Sequence, residues 1–171
     1  ADCFDAAFMA CKIAVEHMTP VVLLTDAFIA NGSAAWKLPE LAEYPAITAP
    51  FVTADMMGKW TPFMRNEETG SRYWAIPGTE GFAHRIGGLE KSNETGAIST
   101  EPENHHKMTI LRQEKVEKIP VPDVEVEGAE DADLLVVGFG GTYGHLRSAV
   151  DEMNKAGKKV RVAKKSNENL D

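Results

Sequence analysis

A glycine-rich stretch near the carboxyl end is the clearest candidate for ligand binding in this sequence. It reads Gly-Phe-Gly-Gly-Thr-Tyr-Gly over residues 138–144 and lies between a predicted strand and a predicted helix, as a phosphate-binding turn does. The spacing departs from the dinucleotide-binding pattern GxGxxG, because Tyr143 occupies the third glycine position. The acidic residue expected after the next strand is replaced by Ala163-Lys164-Lys165, whose lysines suit a 2′-phosphate. Binding of an NADP-type nucleotide is therefore one open alternative.

The favoured interpretation of the same stretch is structural. Gly138, Gly140 and Gly141 allow a tight turn and a close approach between strand and helix. Thr142 is predicted to cap the following helix, with its hydroxyl bonded to an N–H of the first turn. On this interpretation, the glycines serve backbone geometry or an interface rather than a nucleotide.

A turn-rich segment over residues 76–90 contains a second candidate, the pair His84 and Arg85. An arginine beside glycines with exposed backbone can hold an anion. The alternative, which we favour, is a structural loop in which Arg85 pairs with Glu80 or Glu90.

Asp26 and Asn31 are a third candidate, on position alone. They follow the carboxyl end of a predicted strand, where open α/β sheets place their ligands. No catalytic residue and no metal site are predicted. His105 and His106 are adjacent on a predicted helix and therefore point about 100° apart, which prevents them from sharing a metal.

The two cysteines, Cys3 and Cys11, fall on the first predicted helix. At that spacing they lie about 12 Å apart along the helix, beyond the reach of a disulfide. We expect them to be small buried apolar residues in a reducing cytoplasm.

Apolar patterning predicts an α/β fold at both ends of the chain. A helix is predicted over residues 2–18, and the Val- and Leu-rich run after Pro20, ending at Asp26, predicts a strand buried on both faces. Near the carboxyl end, VEVEG predicts a strand, DADLLVVGFGG a buried strand, residues 143–156 a helix that ends at Gly157, and KKVRVA a further strand. The inward positions of that last helix are predicted to be Leu146, Ala149, Val150 and Met153.

The middle of the chain has a different character. Residues 37–100 are rich in glycine and proline and show no long helical or strand period. They are predicted to form an ordered, irregular arm held by aromatic anchors: Phe51, Trp60, Phe63, Tyr73, Trp74 and Phe82. Thr100-Glu101-Pro102-Glu103 reads as a capping box that opens a surface helix, whose narrow apolar stripe is Met108, Leu111, Lys115 and Ile119.

These elements predict pieces of two doubly wound parallel-sheet domains joined by a long irregular arm. The predicted boundaries are 1–36, 37–120 and 121–171. The chain has no initiator Met and opens directly into a helix, and we interpret it as a piece of a longer protein.

Composition excludes several classes of protein. The 171 residues include 18 Lys+Arg and 26 Asp+Glu, for a net charge of −8 at pH 7, and the basic residues form no block. A nucleic-acid partner is therefore not expected. No apolar run approaches the roughly 20 residues that span a bilayer, and no signal peptide is recognisable, so we expect a cytoplasmic protein without a membrane partner.

Four blocks of the sequence resemble the alpha subunit of 2-oxoacid:ferredoxin oxidoreductases, in particular the 2-oxoglutarate type. They occur in the family's order and cover most of the chain up to about residue 163; the tail from residue 164 departs from the family. In the last block Phe139 and Gly141 stand where the family usually has Trp and Ser. The blocks are DCFDAAFMACKIAVEHMTPVVLLTDAFIAN, IPGTEGFAHRIGGLE, PENHHKM with LRQEKV, and LLVVGFGGTYG.

The resemblance implies an enzyme that converts a 2-oxoacid and coenzyme A to an acyl-CoA and carbon dioxide and reduces ferredoxin. It implies thiamine diphosphate, magnesium and iron–sulfur clusters in the assembled enzyme, with the ligands of these groups mainly on a beta subunit. No catalytic residue of the family is carried onto this chain, which is expected to bind none of these cofactors and to be inactive alone. The segments then correspond to the end of a pyrimidine-binding-type domain, a connecting arm, and the start of a transketolase-C-terminal-like domain.

Two alternatives from other classes stay open. One is the NADP-type module built on residues 138–144, and the other is an interaction scaffold whose aromatic arm recognises another protein.

Overall fold

Regular secondary structure is sparse in residues 2–33, 35–85 and 87–165, the part of the chain that this computed structural model describes. In chain order the elements are α1 (Asp2–Glu16), α2 (Ala27–Asn31), the 3₁₀-helices Leu41–Glu43 and Ala54–Met56, α3 (Pro102–Glu117), β1 (Glu125–Glu127), β2 (Leu134–Phe139), the 3₁₀ turn Gly140–Thr142, α4 (Tyr143–Lys155) and β3 (Val160–Lys165).

The chain divides into two units. We call them the sheet unit, the described residues within 1–3, 23–38 and 120–171, and the arm unit, those within 4–22 and 39–119. The sheet unit has mixed α/β structure, and the arm unit contains α1 from Phe4 onward, α3 and the irregular chain between them.

The sheet unit contains a three-stranded sheet in the order β1-β3-β2. β2 and β3 are parallel, with Leu134 opposite Val160, and β1 is antiparallel to β3, with Glu125 opposite Lys164. A parallel pair needs a long connection, and α4 supplies it here. The β–α–β pattern predicted from the sequence is therefore confirmed, including the end of α4, where Gly157 has the positive φ of 79° that suits glycine.

The core of the sheet unit lies between α4 and one face of the sheet. Val150, Val160 and Val162 are buried there, and Val136, Tyr143 and Leu146 pack against them. These residues alternate along each strand because successive side chains point to opposite faces.

β2 was predicted to be a buried strand, and within the described residues that burial is wrong on the face away from α4. Leu135, Val137 and Phe139, on the face away from α4, are 49%, 63% and 65% exposed. Ala149 and Met153 of α4 are also exposed, although they were predicted to point inward. A sheet is buried on both faces only where a second layer covers it, and no described residue forms one.

The strand predicted over residues 20–26 is not formed. Val22 and Leu24 are 79% and 76% exposed, and the segment has no regular structure. A strand is held by hydrogen bonds to a neighbour, and none of the described residues pairs with this segment.

α1 begins the arm unit and ends earlier than predicted. It stops at Glu16, and Met18 takes a positive φ of 44°. Cys3 and Cys11 are exposed free thiols, so their predicted burial is wrong. The described residues cover α1 on another face, where the Tyr44 ring packs edge-on against Phe8 with centroids 4.8 Å apart.

Aromatic side chains connect the irregular chain to itself and to α1. The indole N–H of Trp74 donates to the carbonyl of Val15 at 2.9 Å. Trp60 packs edge-on against the buried Phe82, with centroids 5.6 Å apart. Phe51, also predicted as an anchor, is 49% exposed.

α3 confirms the predicted surface helix. Met108 of the predicted apolar stripe is buried, and so is Ile119, which lies beyond the end of the helix. The residue that precedes the helix as its N-cap is Glu101 rather than Thr100, and it makes no side-chain capping bond. Within the described residues, no helix has the length and apolar character that a membrane crossing requires.

Candidate functional site

The glycine turn of the sheet unit is shaped by close packing. A Cβ placed on Gly138 would lie 2.1 Å from Cδ1 of Leu146, far inside van der Waals contact. Only glycine allows α4 to approach β2 this closely. Gly140, with a φ of 60°, makes the sharp bend that follows the strand. The structural interpretation of these two glycines is therefore supported by geometry.

Asp26 lies directly against the third glycine of the turn. A Cβ on Gly141 would be 2.9 Å from both Cγ and Oδ1 of Asp26. The structure thus brings together two candidates that are 115 positions apart in the sequence, 26 and 141. A carboxylate in this position repels a phosphate group, so the arrangement disfavours nucleotide binding on the glycine turn.

Asp26 also stabilises the start of α2. Its Oδ1 accepts a hydrogen bond of 2.7 Å from the N–H of Phe28 and so caps α2. Asn31, at the other end of this helix, donates from Nδ2 to the carbonyl of Ala27 at 2.8 Å. Both side chains are exposed and stabilise one short helix.

Thr142 does not make the predicted capping bond. It stands before α4, but its hydroxyl donates to the carbonyl of Phe139 at 2.7 Å. Its φ of −80° and ψ of −16° are helical, whereas a capping side chain that accepts from the first turn usually belongs to extended backbone.

His84 and Arg85 lie in the arm unit. The Nδ1 atom of His84 is 2.8 Å from the carbonyl oxygen of Phe82, and its ring packs edge-on against Trp60 with centroids 4.9 Å apart. Arg85 is exposed. The expected ion pair of Arg85 with Glu80 or Glu90 is not formed within the described part of the chain.

Lys91 holds the loop that follows Arg85. Its side chain is 6% exposed, and Nζ donates to the carbonyls of Gly87 at 3.1 Å and Leu89 at 2.7 Å, and also to that of Gly88. The loop bends sharply here, since Leu89 has a φ of 71°. Hydrogen bonds from one ammonium group to three consecutive carbonyls fix this turn, which has no regular ladder of backbone hydrogen bonds.

Side chains of α3 also bind this loop. The amide of Asn104 accepts from the N–H of Asn93 at 3.1 Å and donates to the carbonyl of Lys91 at 2.9 Å. Glu90 is 2.8 Å from Nδ1 of His105 and 3.4 Å from Arg112. The hydrogen bond from His105, with a smaller contribution from Arg112, holds the pKa of Glu90 below its usual range.

The sequence reasoning missed Lys91 and Asn104. No spacing rule finds them, because their partners are backbone atoms of a loop and Asn104 lies 11 positions from Asn93. The only signal was that the IPGTEGFAHRIGGLE and PENHHKM blocks both belong to the family resemblance.

The donor set of the chain does not fit an iron–sulfur cluster. Such clusters usually take four cysteine thiolates, whereas this chain has two cysteines, both exposed on α1. In the described residues, no group of three or more His, Cys, Asp or Glu side chains is arranged to hold a metal ion.

Among known proteins, the chain is similar to subunits of 2-oxoglutarate oxidoreductases. No protein-family model matches the chain. The chain is 47% identical over 161 residues to the 2-oxoglutarate oxidoreductase subunit KorA of Mycobacterium tuberculosis, which covers 94% of this chain and 24% of that protein. It is 23% identical over 151 residues to the 2-oxoglutarate synthase subunit KorA of Methanothermobacter marburgensis, which covers 87% of this chain and 39% of that protein.

A solved structure agrees with these relatives. The 2-oxoglutarate:ferredoxin oxidoreductase from Magnetococcus marinus, with 2-oxoglutarate, coenzyme A and succinyl-CoA bound, matches with a TM-score of 0.63 and 28% identity. The match covers 75% of this chain and 22% of that one. The chain thus spans 24% and 39% of the curated relatives. The resemblance identified from the sequence is confirmed: the chain is homologous to part of a 2-oxoglutarate oxidoreductase subunit.

Proposed function

We propose that the chain is a segment of the alpha subunit of a 2-oxoacid:ferredoxin oxidoreductase, with 2-oxoglutarate as the 2-oxoacid. The identity of 47% over 161 residues with a 2-oxoglutarate oxidoreductase subunit carries this proposal. The whole enzyme would convert 2-oxoglutarate and coenzyme A to succinyl-CoA and carbon dioxide and pass the electrons to ferredoxin. We also propose a cytoplasmic location.

In the finer description, residues 1–36 end a pyrimidine-binding-type domain, 37–120 form the connecting arm, and 121–171 start a transketolase-C-terminal-like domain. The parallel pair β2 and β3 with its crossover α4 supports a doubly wound sheet at the carboxyl end. The exposed apolar residues of β2 and of the segment 20–26 support sheets that the rest of a longer subunit would complete.

The cofactors of the assembled enzyme would be thiamine diphosphate, magnesium and an iron–sulfur cluster. The residues present here do not fit the cluster, since two exposed thiols on one helix cannot supply its ligands. We therefore assign these groups to the beta subunit and derive no catalytic step through them from this chain. The chain alone is expected to be inactive and would contribute surfaces that hold the subunits, the substrate or coenzyme A.

The NADP-type alternative is not favoured. The carboxylate of Asp26 lies against Gly141 and would repel a diphosphate there, and Gly138 is in close contact with the side chain of Leu146. Direct titration of NADPH provides the test, and we expect no saturable binding.

The proposed function is tested on the full-length protein that carries this chain, expressed anaerobically together with a thiamine-binding beta subunit from the same organism. We expect reduction of ferredoxin that requires both 2-oxoglutarate and coenzyme A and that is slower with pyruvate. Absence of ferredoxin reduction with every 2-oxoacid from a complex loaded with thiamine diphosphate and iron would overturn the proposal. Faster reduction with pyruvate would overturn the assignment of 2-oxoglutarate.

A further inference from the structure

The helix α2 ends in an asparagine that is followed by a glycine. Of all the asparagines in the chain, Asn31 alone precedes a glycine, whereas the others precede glutamate, histidine, lysine or leucine. Asparagine is chemically labile, because the backbone nitrogen of the next residue can attack its side-chain amide. Glycine has no Cβ to hinder that attack and has the most mobile backbone. Asn31 is therefore the asparagine whose sequence context most favours this reaction.

The reacting atoms are open to solvent. Asn31 and Gly32 are exposed, as is every other residue of α2. A Cβ placed on Gly32 would meet only backbone of the helix itself, 3.1 Å from the carbonyl oxygen of Phe28. No described side chain covers this bond, so water reaches it freely.

Two hydrogen bonds restrain these atoms while α2 is formed. Nδ2 of Asn31 donates to the carbonyl of Ala27 at 2.8 Å, which turns the side-chain amide back along the helix. The N–H of Gly32 donates to the carbonyl of Ile29 at 3.3 Å, which engages the attacking nitrogen. Attack requires both groups to leave these partners, so the reaction depends on opening of the last turn of α2.

α2 is a short helix with few stabilising contacts. It has five residues, none of them buried, and helices shorter than about 12 residues are marginal on their own. Its N-terminus is held by the hydrogen bond of 2.7 Å from the N–H of Phe28 to Oδ1 of Asp26. The ring of Phe28 also packs edge-on near His145, with centroids 6.2 Å apart. Elements with so few contacts open at a low cost in free energy, and the Asp26 cap is the main contact that opposes opening.

We propose that Asn31 is a site of spontaneous deamidation whose rate is controlled by the Asp26 cap of α2. The backbone nitrogen of Gly32 loses its proton to solvent and attacks Cγ of Asn31. A bond forms between that nitrogen and Cγ, and the bond between Cγ and Nδ2 breaks with release of ammonia. Water then opens the resulting cyclic imide at either of its carbonyls, which gives aspartate or isoaspartate. The net reaction replaces the amide with a carboxylate, consumes water, releases ammonia and involves no oxidation or reduction.

The product destabilises the helix in which it forms. The donor to the carbonyl of Ala27 is lost, and a carboxylate at the C-terminal end of a helix is repelled by the helix dipole. Isoaspartate also adds a carbon atom to the backbone at this point. Because Asp26 lies against Gly141, deamidation weakens the helix whose N-cap contacts the glycine turn.

The test incubates the full-length protein that carries this chain in mildly alkaline buffer. Deamidation is followed at each asparagine by peptide mapping with mass spectrometry, and isoaspartate is quantified separately. We expect Asn31 to react roughly tenfold faster than Asn93, which precedes Glu94. Asp26→Ala should raise the rate at Asn31 by about fivefold, the factor by which loss of a capping bond shifts helix opening. The matched control is Asp26→Ser, which keeps a capping oxygen and should react at about the wild-type rate.

The ratio of the rates at Asn31 and Asn93 in the same molecule separates opening of α2 from global unfolding, which accelerates both. Deamidation of Asn31 that is no faster than that of Asn93 overturns the site. Equal ratios in Asp26→Ala and Asp26→Ser overturn control by the cap. Gly32→Ala should slow the reaction by roughly tenfold, and an unchanged rate overturns the cyclic-imide route. These measurements need no catalytic activity, so they do not depend on the proposed function.

Discussion

The sheet unit and the arm unit are stabilised in different ways. In the sheet unit, a small apolar core of Val150, Val160 and Val162 lies under a hydrogen-bonded sheet. In the arm unit, the buried residues include the polar His17, Ser71 and Lys91. Regular elements satisfy their own backbone groups, whereas irregular chain needs side chains to do so.

The difference indicates which property of a side chain matters most in each unit. In the sheet unit it is side-chain volume, because α4 and β2 are closer at Gly138 than a methyl group allows. In the arm unit it is the ability to form hydrogen bonds, as in the three backbone carbonyls that accept from Nζ of Lys91. Four substitutions or conditions test this comparison, each in the full-length protein.

Gly138→Val is expected to have the largest effect. The added side chain would overlap Leu146, and overpacking of this kind is destabilising by about 2–3 kcal/mol. Hydrogen exchange of the β2 and β3 amides, followed by mass spectrometry, should accelerate accordingly. The matched control is Gly144→Ala in α4, where a Cβ meets nothing within 4 Å and should stabilise the helix slightly. Equal exchange in the two variants would contradict the role of close packing.

Lys91→Met tests whether hydrogen bonds from side chains stabilise the arm unit. It keeps the apolar stem and removes three charge-assisted hydrogen bonds, and we expect a local loss of about 2 kcal/mol. Exchange and proteolysis should increase across residues 84–92 and leave β2 and β3 unchanged. Lys107→Met removes an exposed ammonium with one distant partner and serves as the control, with an expected loss below about 0.5 kcal/mol.

His17 makes the arm unit sensitive to acid. Burial lowers the pKa of His17 below its usual 6.5; Glu16 opposes this effect, and Lys115 and Lys12 add to it. Between the lowered pKa and 6.5, the unfolded chain binds more protons than the folded chain, so stability falls as pH decreases through this window. The thermal midpoint should decline between pH 7 and pH 5, and His17→Gln should flatten that decline. A wild-type midpoint that rises with acid would show that the sign is wrong.

Thr142→Ala should have the smallest effect. Its hydroxyl donates one exposed hydrogen bond to Phe139 and does not cap α4, so we expect about 0.5 kcal/mol rather than the ~1 kcal/mol of a capping residue. Thr142→Ser keeps the hydroxyl and is the control. A loss well above 1 kcal/mol in Ala but not in Ser would restore the capping interpretation.

Local pattern determined much of the secondary structure. The period of apolar residues predicted α3 and α4, and the glycine after α4 marked its end, because these signals depend on neighbours within one or two turns. The motif blocks also identified the relatives, through resemblance rather than through physics.

Tertiary contacts decided what local pattern could not. The run over residues 20–26 has the composition of a buried strand, but it forms none among the described residues because a strand exists only with a partner. The contact of Asp26 with Gly141, and that of Gly70 with Lys115, join residues far apart in sequence. Spacing along the chain carries no information about such pairs. The carbonyls that meet at Lys91 were likewise visible only in three dimensions.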